Sequence, residues 1–126
     1  MEWTNNVTAS LLNKNLDGLW ARQKAISNNL ANVETPGYKS KTVRFEDQLQ
    51  ALLSDADKAD TQQINDIANV QPQTTVSEEE SMRLDGNSVD AVKENIELTR
   101  TQINYMYSLR ELSDYFARIK TAIDSK

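Results

Sequence analysis

The sequence predicts an all-α protein with two long amphipathic terminal helices and a flexible, weakly ordered middle segment. Apolar residues recur at heptad spacing near both ends of the 126-residue chain. Neither glycine nor proline interrupts the stretch from Asn87 to Lys126, whereas the middle is acidic and contains no aromatic residue. These observations divide the chain into an N-terminal helical segment 1–49, an acidic flexible middle 50–85 and a C-terminal long helix 86–126.

The first helix is predicted from about residue 8 to residue 34. Its apolar seam advances by alternating steps of four and three residues, with one polar interruption. The seam consists of Leu12, Leu16, Leu19, Gln23, Ile26, Leu30 and Val33. Asn5, Asn6 and Thr8 are candidate N-caps. Pro36 and Gly37 end the helix, because the residue before a proline is pushed out of the α region.

The segment after this helix has two possible conformations. Phe45, Leu49, Leu52 and Leu53 lie on one face of a short helix that would end near Ser54, while residues 41–45 could equally be extended. Further on, residues 51–85 carry eight acidic and two basic side chains. A stretch with repelling charges and no aromatic residue gains little by ordering itself, so most of it is expected to be a mobile linker.

The last helix is predicted from a turn at Asp85, Gly86 and Asn87, with Asn87 or Ser88 as the N-cap. Its apolar stripe changes register once, after Met106. The stripe comprises Val89, Val92, Ile96, Thr99, Ile103 and Met106, followed by Leu109, Leu112, Phe116, Ile119 and Ile123.

Two such helices, paired as a coiled-coil-like hairpin, would leave apolar surface uncovered, and surface of this kind marks an interaction site. Packing against another helix, of a second copy or of a related protein, is therefore expected. The residues predicted to pack between subunits are Leu12, Leu16, Leu19, Ile26, Leu30, Val92, Ile96, Ile103, Met106, Leu112, Phe116, Ile119 and Ile123.

Composition excludes several classes of function. The chain has no cysteine and no histidine, so thiol nucleophiles, disulfides, Cys/His zinc sites and Ser-His-Asp triads are ruled out. A net charge of −5 does not favour nucleic-acid binding. No apolar run approaches the ~20 residues of a membrane span, and no cleaved signal peptide is recognisable. We therefore predict no catalytic residue, no cofactor and no metal.

The most specific motif lies at the end of the first helix. It comprises Asn28, Asn29, Ala31, Asn32, Thr35, Pro36, Gly37 and Tyr38. A helix end followed by a turn would explain the Pro-Gly pair alone. Together with both heptad segments and the C-terminal runs 85–90 and 118–123, however, the motif resembles the bacterial flagellar rod and hook family, and in particular its short proximal-rod members.

This resemblance implies a structural subunit of the proximal rod, on the periplasmic side of the basal body. It implies export in the unfolded state through the flagellar type III export gate, without a cleaved signal peptide, and folding on assembly. The implied partners are other rod subunits, the basal-body ring and adaptor proteins, and the export gate, with self-association possible. Phe45 and Leu49 resemble a gate-docking motif, although the same spacing also serves ordinary helix packing, and the two roles are compatible.

Two alternatives remain at this point. Within the family, the chain could be a different short proximal-rod subunit. Outside it, a generic coiled-coil adaptor or chaperone would share the helices but has no need of the Thr-Pro-Gly-Tyr segment.

Overall fold

The computed structural model describes residues 6–54, 58–78 and 83–125, so the candidate cap Asn5 and parts of the acidic middle lie outside the described residues. The elements follow the order α1 (Val7–Ala31), β1 (Lys41–Arg44), α2 (Glu46–Leu53), α3 (Asp60–Ala68), β2 (Gln73–Val76) and α4 (Ala91–Asp124). The fold is mostly helical, as predicted, but it includes a small sheet that the sequence did not indicate.

Helix α1 begins at one of its predicted caps and ends slightly early. The Asn6 side chain accepts a hydrogen bond from the Ala9 N–H at 2.9 Å. The 25 residues of the helix span about 37 Å. The helix ends at Ala31, three residues before the predicted end, because the chain tightens into a turn at Asn32, whose N–H is shared between the carbonyls of Asn28 and Asn29.

Helix α4 begins at Asp90, so the prediction of Asn87 or Ser88 as its N-cap is wrong. The Asp90 carboxylate accepts from the N–H groups of Val92 and Lys93 at 3.1 and 3.2 Å. Asn87 and Ser88 do not cap this helix because their side chains bond elsewhere, to the end of α1 and to Ser40. The 34 residues of α4 span about 51 Å.

The middle of the chain holds regular structure in its described residues, so the prediction of a weakly ordered middle is wrong there. Helix α3 anchors itself through Ile67, which is fully buried, and the chain continues through the buried Val70 into β2. Strand β2 pairs antiparallel with β1, placing Lys41 opposite Val76. Two buried aliphatic side chains, Ile67 and Val70, thus hold this segment in regular structure although it contains no aromatic residue. The proposed boundaries at 49/50 and 85/86 stay a prediction.

Residues 41–53 adopt both of the conformations left open by the sequence, one after the other. Strand β1 covers residues 41–44 and helix α2 covers residues 46–53, with Phe45 between them. The hydrophobic core gathers around that phenylalanine. It consists of Leu19, Ala25, Val43, Phe45, Leu49, Ile67 and Val70.

A glycine on α1 makes room for the Phe45 ring. A Cβ at Gly18 would lie 2.5 Å from the ring carbons, well inside van der Waals contact. Helix α4 contributes only the partly buried Tyr105 to this core. The core is therefore built almost entirely by residues 19–70.

Helices α1 and α4 pair antiparallel along most of α1. The Asn15 side-chain amide donates to the Ser108 hydroxyl at 2.6 Å, which fixes the register between the two helices. Stepping back eight residues from Asn15 and forward eight from Ser108 brings Val7 level with Phe116. The last turns of α4 consequently extend beyond the first residue of α1.

Candidate assembly site

Helix α4 has two opposite faces, each at heptad spacing. The inner face is partly or fully buried, faces α1 along the paired turns, and mixes polar with apolar side chains. It comprises Ala91, Glu94, Leu98, Thr101, Tyr105, Ser108, Leu112, Tyr115 and Ile119. Over the first five turns of α4, this face carries the carboxylate of Glu94 and the hydroxyls of Thr101 and Ser108 at positions where an apolar seam would be expected.

The opposite face, here called the outer stripe, comprises Val92, Ile96, Thr99, Ile103 and Met106. Its four apolar side chains are 70, 54, 48 and 68% exposed. They form an open, shallow groove edged by Asn95, Arg100 and Asn104. Complete burial of a side chain of this size is worth about 1.5–3 kcal/mol, so the outward position forgoes several kcal/mol within the chain. Such a stripe is typical of a surface that packs against another molecule.

The predicted packing residues fall into three groups. Leu19 and Ile26 are buried within the chain itself, while Leu12, Leu16 and Leu30 are partly buried on α1. Leu112 and Ile119 lie on the inner face of α4. The third group is exposed: Val92, Ile96, Ile103 and Met106 lie on the outer stripe, and Phe116 and Ile123 follow the register change further along α4. The change of register after Met106 is therefore the point where the apolar pattern crosses from the outer to the inner face.

The sequence motif at the end of α1 meets the segment before α4, and we call residues 32–40 and 83–89 together the junction. Asn87 is 1% exposed and lies at its centre. Its amide nitrogen donates to the carbonyls of Asn32, Val33 and Thr35 at 2.8, 3.1 and 2.7 Å. Its side-chain oxygen accepts from the Val89 N–H at 2.7 Å. One side chain thus binds three carbonyls of the turn that follows α1.

Two glycines allow the turns of the junction to lie against each other. Gly37 and Gly86 both have positive φ, 76° and 77°, which disfavours any residue with a Cβ. A Cβ at Gly86 would also touch the Gly37 Cα at 3.7 Å. The Gly37 N–H donates to the Asp85 carbonyl at 2.8 Å, and the Ser88 N–H donates to the Tyr38 carbonyl at 3.0 Å.

Charged side chains close the junction from both sides. The Lys39 ammonium donates to the Gly86 carbonyl at 2.7 Å. Arg83 donates to the Val33 carbonyl and to the Asp85 carboxylate, and lies 3.7 Å from Glu34. The sequence predicted the motif and the turn separately but missed their contact. The available signal was Asn87, directly after the turn glycine Gly86, because an asparagine amide can donate to the carbonyls of another turn such as the one at Pro36 and Gly37.

Asn29, also part of the motif, has a second structural task. It is fully buried and attaches α1 to the outer edge of β1. Its amide donates to the Lys41 carbonyl and its oxygen accepts from the Lys41 N–H, both at 2.9 Å. The Tyr38 hydroxyl donates to the same oxygen at 3.3 Å. The motif therefore covers a strand edge that would otherwise be open to pairing with another chain.

The candidate export motif is buried in the described fold. Phe45 and Leu49 are core residues, and the Arg22 guanidinium lies 4.9 Å from the centre of the Phe45 ring. Arg22 also forms a two-point ion pair with Glu46, at 2.5 and 2.7 Å. Burial opposes ionisation of Glu46, but hydrogen bonds from Arg22 and from backbone N–H groups outweigh it and lower the pKa of this carboxyl. Phe45 and Leu49 thus have a packing role in the folded chain.

Within residues 6–54, 58–78 and 83–125, no cluster of three or more acidic side chains is arranged to hold a metal ion. No helix in these ranges is long and apolar enough to cross a bilayer.

Comparison with known proteins identifies relatives over most of the chain. Residues 19–39, which cover the second half of α1 and its turn, match the family model of the flagella basal body rod protein. The chain is 35% identical to the flagellar basal body rod protein FlgB of Bacillus subtilis, over 81% of each chain. FlgB of Borreliella burgdorferi is 28% identical, over 86% of this chain and 89% of the relative. FlgB of Escherichia coli K12 is 27% identical, over 82% and 83%.

Proposed function

Because this chain belongs to the family of flagellar basal body rod proteins and is a structural subunit of the rod, we propose that it occupies the proximal rod and assembles through the outer stripe of α4. Its role is mechanical: packed copies transmit torque, and no step requires a reacting group. Other rod subunits and the basal-body ring and adaptor proteins are its partners, on the periplasmic side. The family assignment sets aside the alternative of a generic adaptor or chaperone.

The outer stripe carries this proposal. Its apolar side chains follow heptad spacing, point away from α1 and have no partner among the described residues. Heptad spacing is the pattern by which helices of different chains interlock. The isolated subunit leaves this surface in water, and docking against a neighbouring helix would remove it. Folding of the exported chain is completed by that docking.

The assembly role is tested by Ile96→Asp combined with Ile103→Asp. Docking of this variant would bury two unpaired carboxylates in an apolar seam, so we expect rod assembly and motility to be lost. Because both side chains are exposed in the subunit, helix content and the free energy of unfolding should stay near the values of the parent protein. Basal-body fractions, swimming and circular dichroism measure these three properties.

A charge-matched control separates position from charge. Gln102 and Ser113 are exposed on α4 and do not line the groove, so Gln102→Asp with Ser113→Asp should assemble normally. Normal motility of the Ile96/Ile103 variant would show that this stripe faces water in the rod and would refute the proposal.

For export, we propose that the segment around Phe45 and Leu49 docks at the type III export gate while the chain is unfolded. Both side chains are buried once the chain folds, so docking is limited to the unfolded form. This burial supports docking before folding, because the segment is accessible in the unfolded chain and buried in the folded one.

The export role is tested by Phe45→Ala with Leu49→Ala, compared with Ile67→Ala. All three side chains belong to one core, so both variants weaken the folded state, but only the first alters the docking segment. We expect the first variant to accumulate in the cytoplasm and the second to be exported like the parent protein. Equal export of the two variants would show that Phe45 and Leu49 act only in packing and would refute the docking role.

A further inference from the structure

Over residues 91–106, helix α4 buries the less apolar of its two faces, whereas beyond Met106 apolar residues also lie on the inner face. Its inner face places Glu94, Thr101 and Ser108 towards α1, while the outer stripe leaves Ile96 and Ile103 in water. A half-turn roll of α4 about its own axis would exchange the faces and bury the outer stripe against α1. The roll would bury the outer stripe but expose Leu112 of the inner face, so apolar burial does not by itself choose between the two orientations, and a directional contact must select the observed one.

The contact best placed to do so is the junction, because it holds the chain immediately before α4. Asn87 stands four residues ahead of the first residue of α4, and its amide donates to three carbonyls at the end of α1. The bond from Ser88 N–H to the Tyr38 carbonyl fixes the next residue. A helix that starts from a fixed direction cannot rotate freely about its axis.

Further along α4 there is less to prevent the roll. Among the described residues, a side-chain hydrogen bond from Asn15 to Ser108 joins the helical parts of α1 and α4. Tyr105 contacts the core from the inner face.

We propose that Asn87 is a positioning residue that holds α4 with its outer stripe directed away from α1. Its biological meaning rests on the proposed use of that stripe in assembly. The orientation of α4 itself is a property of the isolated subunit and is tested without any assembly.

The test measures the labelling rates of single cysteines, which is clean because the chain contains no cysteine. Ile103→Cys reports the outer stripe, Thr101→Cys the inner face and Val43→Cys the core. In the parent background, a water-soluble maleimide should label Ile103→Cys quickly and the other two slowly, as their burial requires.

Two variants then remove the donor. Asn87→Asp keeps the shape of the side chain but has no N–H to donate, and Asn87→Ala removes the polar group altogether. In both backgrounds we expect labelling of Ile103→Cys to slow about twofold, which corresponds to roughly half of the molecules with the stripe buried. Labelling of Thr101→Cys should accelerate, and Val43→Cys should stay protected. Lys93→Ala, an exposed change in the first turn of α4 that does not line the groove, should leave all three rates as in the parent protein.

Several outcomes would overturn the inference. Unchanged rates would mean that α4 is oriented without Asn87. Fast labelling at both 101 and 103 would mean that Asn87 holds α4 on α1 and does not choose its face. Fast labelling of Val43→Cys would assign Asn87 to folding of the whole chain. An effect of Asn87→Ala without one of Asn87→Asp would assign it to filling space. Each of these results leaves the separate motility test of the outer stripe intact.

Discussion

The hydrophobic core and the junction join distant parts of the same chain by different physical means. In the core, six apolar side chains from α1, β1, α2 and the segment around α3 surround Phe45. In the junction, backbone carbonyls at the end of α1 are satisfied by the amide of Asn87, across more than fifty residues of sequence. The core contains most of the buried apolar side chains, whereas the junction fixes the direction of the chain just before α4.

The difference follows from the nature of the two interactions. Apolar burial is non-directional and tolerates several arrangements of similar area. Hydrogen bonds have narrow angular ranges, and a buried group left unpaired is penalised. A chain that leaves an apolar helical stripe outside therefore needs a directional contact in addition to a core.

The largest effect on stability is expected from the centre of the core. Phe45→Ala with Leu49→Ala removes two buried side chains that belong to one cluster. Single changes of this kind lower the free energy of unfolding by about 2–5 kcal/mol. The pair should approach the total stability of a domain this small and leave much of the chain unfolded at 25 °C. Chemical denaturation measures the change; a loss below about 2 kcal/mol would show that the core is not centred on Phe45.

The next effect tests whether the acidic middle belongs to the core. Ile67→Ala should lower the free energy of unfolding by about 2–5 kcal/mol, because Ile67 is fully buried. Ile64→Ala, on the same helix but only partly buried, is the matched control and should have a smaller effect. If the two variants unfold at the same denaturant concentration, α3 does not pack as described, and the mobile linker expected from composition regains support.

The third prediction concerns the buried hydrogen bonds of Asn29, in contrast to the apolar contacts of the core. Asn29→Ala leaves the N–H and carbonyl of Lys41 without their partners, for an expected loss of about 1–3 kcal/mol. Asn28→Ala, one residue earlier and exposed, should be near neutral. Amide hydrogen exchange at Lys41 should accelerate only in the first variant. Equal exchange in both would mean that the edge of β1 is protected by something other than Asn29.

The smallest effect is expected at the Arg22–Glu46 pair. Glu46 is half exposed, so Glu46→Gln should lower the free energy of unfolding by less than about 1 kcal/mol at neutral pH. Because its pKa is lowered in the folded state, the contribution of Glu46 is present above its ordinary value of 4.5. It disappears as the pH falls through the lower folded value.

The Gln variant should therefore differ from the parent protein at pH 7 and match it in strong acid. The pH dependence of the denaturation midpoint checks this. A difference that persists at acid pH would trace the effect to the shape of the side chain instead of its charge.

The sequence by itself determined the two terminal helices, a choice of three N-caps that includes Asn6, and the family motif at the end of α1. These features depend on local periodicity, on capping and on the backbone restrictions of proline and glycine, which neighbouring residues fix. The same local reasoning left residues 41–53 undecided between strand and helix. The strand forms there because β2, some thirty residues later, pairs with it.

Only the tertiary structure decided three further features: the order around Ile67, the burial of Phe45 against Gly18, and the face that α4 presents to water. A heptad pattern shows that a helix has an apolar stripe but not which way the stripe points. That direction depends on contacts such as those of Asn87 with carbonyls 52–55 residues earlier, which no local pattern contains. The composition of the middle segment likewise indicates its charge. It does not show that the buried Ile67 anchors α3, because burial is a property of the whole fold.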